Sequence, residues 1–101
     1  MEFRDIFGRT VHLTQERWSH ILSEHPEISS VFKCMEEVLR SPRCIVRSIY
    51  DPEVILYYRF YPMVLKGKYI VVVVKRNDRH FVLTAYVTDH VKGGKLIWQS
   101  D

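Results

Sequence analysis

Residues 69–88 read YIVVVVKRNDRHFVLTAYVT, two runs of β-branched and aromatic residues on either side of the polar pair Asn77-Asp78. Runs of that composition joined by a short turn signal form an antiparallel hairpin. An even-length loop fixes which residues lie opposite one another and therefore share a face. Pairing Arg76 with Arg79 sets Val74 opposite Phe81, Val72 opposite Leu83 and Ile70 opposite Ala85, an apolar set that must face a core. The other face then carries Lys75 with His80, Val73 with Val82, Val71 with Thr84 and Tyr69 with Tyr86, with Thr88 beyond. A sheet with one wet face is ordinary in antiparallel folds. Lysine, histidine, threonine and two tyrosines gathered there suggest more than a solvated surface.

Working outward, the chain from Arg43 onward consists of short strand-like runs at 44–50, 54–61, 69–75 and 80–88, with a further one at 96–99. Their links, Asp51-Pro52-Glu53, Lys66-Gly67-Lys68, Asn77-Asp78 and Lys92-Gly93-Gly94-Lys95, are short, which fits antiparallel neighbours and not βαβ crossovers. Within 54–61 the set Leu56, Tyr58 and Phe60 is the more apolar and is expected to pack inward, leaving Tyr57 and Arg59 on the open face. The Asp51-Pro52-Glu53 turn leaves Arg47 on either face.

The first 43 residues are helical in pattern. A short strand within 8–14 feeds Thr14, an N-cap with Glu16 in the first turn, and the spacing predicts a helix over 15–24 with Trp18, Ile21 and Leu22 on its core face. His25-Pro26 ends it, because a residue before proline is pushed out of the helical region. A second helix over 28–40 places Ile28, Val31, Phe32, Met35, Val38 and Leu39 on one face, and Ser41-Pro42 closes it. The expected architecture is α+β: one domain over 1–101, with two N-terminal helices packed on one face of a four- to five-stranded antiparallel sheet.

Composition agrees with one folded domain. The chain has 101 residues, 47% of them hydrophobic and 13% aromatic, enough apolar surface to offset chain entropy. The longest uncharged stretch, 80–88, is far short of the roughly 20 apolar residues of a membrane span. The N-terminal MEFRDIFGRT has acids and no apolar run, unlike a signal peptide, so the expected setting is cytoplasmic without a membrane partner. Cys34 and Cys44 belong to no CxxC or Cys/His pattern and read as buried free thiols. The net charge of +3 is unevenly distributed, residues 1–39 holding four basic and seven acidic side chains and residues 40–101 eleven basic and five acidic. A basic strand half points to a polyanionic ligand on one side of the molecule.

The open face would present Arg59, Lys75, His80, Thr84 and the tyrosines, Tyr57 and Tyr69 among them, chemistry suited to phosphate and stacked bases. His20 projects away from the Trp18 stripe, whereas His25, seven residues after Trp18, returns to that side where the helix ends. Their five-residue separation does not suit a helical metal pair, and no metal is expected. His12 and His90 have no convergent partners. HExxH, DxD, P-loop, GxSxG and GxGxxG motifs are all lacking, which leaves metalloprotease, nucleotide-hydrolase, α/β-hydrolase and Rossmann readings without support.

The order helix, helix, antiparallel strands, with WSHILSEHPE at 18–27, YYR at 57–59, VVVK at 72–75 and FVLTAY at 81–86, resembles the phage-associated members of the Barnase/EndoU/colicin/RelE-like (BECR) nuclease superfamily. The resemblance runs from about Asp5 to Trp98. It implies a cofactor-free, metal-independent endoribonuclease, often a toxin of a toxin-antitoxin system, that works on the open face of the sheet. RNA is then the partner, with an acidic antitoxin or immunity protein as a second. In such enzymes the 2′-OH attacks the adjacent phosphate, which needs a base, donors for the charged phosphoryl oxygens and an acid for the 5′-oxygen. The residues cast in those roles are His20 or His25 as base or acid, Arg59 and Lys75 as phosphate clamps, and Thr84 and Tyr86 as donors. Arg47, Tyr57, Tyr69 and His80 would hold the RNA.

Overall fold

A computed structural model describes residues 1–100. In chain order the elements are β1 (Glu2–Arg4), β2 (Thr10–His12), α1 (Gln15–Glu24), a 3-10 segment (Pro26–Cys34), α2 (Met35–Arg40), β3 (Cys44–Arg47), β4 (Val54–Tyr61), β5 (Lys68–Arg76), β6 (His80–Thr88) and β7 (Lys95–Gln99). The strands make one sheet in the order β1-β2-β6-β5-β4-β3-β7, with the helices on one face. The α+β class is as expected. The sheet has seven strands, however, not four or five, and it is mixed, because β2 runs parallel to β6. Strand β2 falls within the short strand expected over 8–14, whereas β1, three residues long, leaves too little pattern to register in sequence. Nor is it a simple meander, since β7 returns to pair with β3.

Helix α1 starts and ends where its signals place it. Thr14 Oγ1 accepts the Arg17 N–H at 3.1 Å, and His25, at φ −134° and ψ 72°, leaves the helical region just before Pro26. The single helix expected over 28–40 is instead the 3-10 segment followed by α2, with a break at Val31 (φ −121°, ψ 15°). An apolar spacing of three serves a 3-10 turn as well as an α-helix, so the stripe alone cannot distinguish them. The break rephases the chain, and Ile28, Val31, Met35, Val38 and Leu39 all reach the main core as expected.

The hairpin of β5 and β6 departs from the expected register twice. Arg76 pairs with His80, so the loop holds three residues, and Val74 lies opposite Val82, not Phe81. A β-bulge then gives β6 one extra residue, Leu83, before Val73 pairs with Thr84 and Val72 with Ala85. The longer loop reverses the parity of β6 and the bulge restores it. Thr84, Ala85 and Tyr86 therefore keep their expected faces, whereas Val82 replaces Phe81 and Leu83 in the main core and His80 moves to the helix-covered side.

Strand β4 is reversed outright. Ile55, Tyr57 and Tyr61 face the helices, while Leu56 and Tyr58 face away. The apolarity comparison fails because the helix-free face is not fully wet. There Cys44, Val46, Tyr58, Val71 and Val73 form a second buried cluster, joined by Leu83, Tyr86 and Val91. The segment between β6 and β7 folds beneath the sheet and helps to close it. A Cβ at Gly94 would lie 2.6 Å from both Arg47 O and Val46 Cγ1, so only glycine permits that approach.

Candidate functional site

The helix-free face carries a groove of about 280 Å³ over β3–β6, lined by Tyr50, Tyr58, Thr84, Tyr86 and Lys92 together with aliphatic side chains. Thr84 is placed there by the bulge, and its Oγ1, screened from solvent, has no hydrogen-bond partner among the described residues. Tyr58 is fully buried at the groove floor and its hydroxyl accepts the Lys92 N–H at 3.3 Å. Burial is the largest influence on that phenol, pushing its pKa up to about 12 against the opposing pull of the Lys92 N–H, so it remains a neutral donor near pH 7. Lys92 Nζ sits 5.6 Å from the Tyr86 ring centroid, within cation–π range.

His25 approaches the groove-lining Tyr86 from the helical layer. Strand β2 pairs with β6 only at His80 and Phe81, so the rest of that edge is open, and the His25 ring packs beside Tyr86 with centroids 5.5 Å apart. Its Nδ1 lies 3.7 Å from Glu27 Oε2. The early termination of α1 at Pro26 is what turns this side chain toward the sheet. His20, in contrast, lies on the exposed side of α1 with Nε2 2.8 Å from Glu24 Oε1. The structure follows the helical phase that sets the two histidines on different sides, and it brings His25 beside Tyr86.

The remaining candidates divide between the faces. Lys75 is on the helix-free face, next to groove-lining Val73 on that side, and its Nζ donates to Asp51 Oδ2 at 3.1 Å. Tyr69 also lies there, but its ring packs edge-on against Tyr58 and Phe60. Arg47 pairs with Ile55 and so shares the helix-covered side. Tyr57, Arg59 and His80, expected on the open face, are on the other one. Tyr57 is sealed beneath the β1–β2 hairpin, its hydroxyl donating to Asp5 Oδ2 at 2.7 Å and accepting from Arg9 Nη2 at 3.2 Å. Arg59 Nη1 donates to the Ser41 carbonyl at 2.6 Å at the end of α2. His80 is held below the ordinary histidine pKa by burial first and then by the Arg9 and Arg76 charges, against the pull of Asp5.

Lys92, Tyr58 and Tyr50 were missed as groove residues. The only sequence signal near them is Gly93-Gly94, a pair that permits close backbone approach. Among the described residues no three His, Cys, Asp or Glu side chains gather as metal ligands, and no helix is long and apolar enough to cross a membrane. Comparison with protein-family models, curated proteins and solved structures found no match to this chain. What stands at this point is a class: an α+β domain with a mixed seven-stranded sheet and a tyrosine-rich groove on its helix-free face.

Proposed function

We propose that the chain is a metal-independent endoribonuclease that draws RNA across the helix-free face. The observation that carries this reading is the junction of His25, Tyr86 and Lys92 at the rim of a groove floored by Tyr58 and Thr84. It brings an imidazole, neutral hydroxyl donors and a cation to one place, the groups that transesterification of RNA requires. In the reaction His25 takes the proton of a ribose 2′-OH, the 2′-oxygen bonds to the adjacent phosphorus, and the phosphorus–O5′ bond breaks. Thr84 and Tyr86 donate to the phosphoryl oxygens, Lys92 and Lys75 offset their charge, and the departing 5′-oxygen takes a proton from a water molecule. The products are a 2′,3′-cyclic phosphate and a 5′-hydroxyl. The resemblance to phage-associated BECR nucleases favours the same chemistry and adds a toxin role restrained by an acidic inhibitor.

A second reading is a silent RNA-binding or protein-interaction module that uses this face. It draws on the ion pairs of Lys75 with Asp51 and Lys68 with Asp89, which reduce the free charge available to phosphate. Incubation with RNA in EDTA separates the two. Nuclease action gives cyclic-phosphate ends, falls by about 10²–10⁴-fold in His25→Ala, and is unchanged in His20→Ala. Full cleavage by His25→Ala removes that residue's assignment, and binding without cleavage by the wild-type protein selects the second reading.

A further inference from the structure

A separate cavity of about 390 Å³ lies at the opposite end of β3 from the groove, where α2, β3, β4 and β7 meet. Arg40 at the end of α2, Arg43 just before β3 and Arg59 on β4 all line it. Trp98 adds an aromatic wall, and no carboxylate is among the described lining residues. Three guanidinium groups, from α2, the turn after it and β4, thus surround one cavity. Arg43 uses Nη1 to bind Ser100, and Arg59 uses Nη1 to bind the Ser41 carbonyl. These bonds hold the guanidinium groups in place while engaging one nitrogen of each. Arg59 Nε is screened from solvent without a hydrogen-bond partner among the described residues. Its nearest carboxylate oxygen, Glu37 Oε1, is 3.5 Å away and already accepts the Tyr61 hydroxyl at 2.6 Å.

We infer that this cavity binds a nucleoside monophosphate, with the phosphate among the arginines and the base against Trp98. Guanidinium forks match the oxygens of a phosphate and can bind them in pairs. A phosphate monoester carries close to two negative charges near neutrality, so it can engage several of these cations where a lone carboxylate offers one charge. Planar bases stack on aromatic side chains and on guanidinium planes, both of which are present here. The volume falls within the ordinary range for a small-ligand site. This site is independent of the proposed cleavage groove and shares no lining residue with it.

Calorimetric titration of the full chain with adenosine monophosphate, inorganic phosphate and adenosine tests the assignment. The monophosphate should bind wild-type protein and His25→Ala equally, with a change in tryptophan emission that Trp98→Phe abolishes. Arg40→Gln and Arg43→Gln should each weaken it by about tenfold or more, the effect of losing a charge-assisted hydrogen bond. Arg40 is exposed, so Arg40→Gln should retain the wild-type melting temperature and serve as the folded control. Adenosine alone and phosphate alone should each bind at least about tenfold more weakly than the monophosphate. Absence of binding at millimolar monophosphate, wild-type affinity in both arginine variants, or inorganic phosphate binding as tightly as the nucleotide would each overturn the inference. None of these outcomes depends on whether the protein cleaves RNA.

Discussion

Tyr57 and Tyr58 are consecutive in β4 and both are fully buried, yet they point into opposite halves of the molecule. Tyr57 lies under the β1–β2 hairpin in a closed polar network. Asp5 Oδ1 accepts the Phe7 and Arg9 N–H groups, and Oδ2 accepts from Arg9 Nε and the Tyr57 hydroxyl. Burial alone would raise the Asp5 pKa, but these hydrogen bonds and the Arg9 charge bring it below the usual carboxylate value. Tyr58 lies under a loop instead, and its hydroxyl meets only the Lys92 N–H beside an open groove. The difference marks the Tyr57 network as structural and the groove beside Tyr58 as accessible. Within that network both Asp5 oxygens and the Tyr57 hydroxyl are engaged, which leaves those groups nothing to offer a ligand. On the other face Thr84 Oγ1 is unengaged, and the rings of Tyr86 and His25 are half-exposed.

The most forceful way to break this contrast is at Asp5. Asp5→Asn leaves the buried Tyr57 hydroxyl and the Arg9 guanidinium without their charged partner and should cost about 3 kcal/mol, read from urea denaturation midpoints. At a temperature where the variant remains folded, its RNA cleavage should match wild type. A loss confined to activity would mean that the helix-covered network belongs to the reaction.

Tyr58→Phe should have a smaller effect, about 1 kcal/mol, because it removes one acceptor from a half-buried backbone N–H. Its signature is faster hydrogen exchange at Lys92 with protection of β5 retained. Uniform loss of protection across the sheet would show that the two faces are coupled more tightly than the hydrogen bonds indicate.

The smallest effect concerns pH. His80 binds its proton less readily in the folded chain than in the unfolded one. Its contribution to stability is therefore present above the unfolded histidine pKa of about 6.5 and is lost as pH falls through the lower folded value. Melting temperatures of His80→Gln should decline less steeply than those of wild type below about pH 6.5. Equal slopes would remove His80 from the account of acid sensitivity.

Much of this contrast was legible beforehand. The span of α1, its Thr14 cap and its stop before Pro26 are written in local residue chemistry, and the cores of β4, β5 and β6 lie where their composition places them. Lys75, Thr84 and Tyr86 were assigned to the helix-free side and lie there, although with other partners across the hairpin. Illegible were the features set by long-range pairing. The bulge at Leu83 has no glycine to announce it, β1 is too short to show a period, and nothing local tells β2 to pair in parallel with β6. Arg59 read as a phosphate ligand of the open face because its strand was phased by apolarity. That criterion fails when each face carries a core.

By itself the sequence determined an α+β domain, the caps of its first helix, and which residues of β5 are apolar, since these depend on neighbours a few positions away. Tertiary structure alone decided which face each β4 side chain occupies, that His25 packs beside Tyr86, and that three arginines share one cavity. A strand shows its two faces through a period of two, and a one-residue change in loop or register exchanges them. Only the packing of distant segments, the β1–β2 hairpin above and the Lys92 loop below, selects between them.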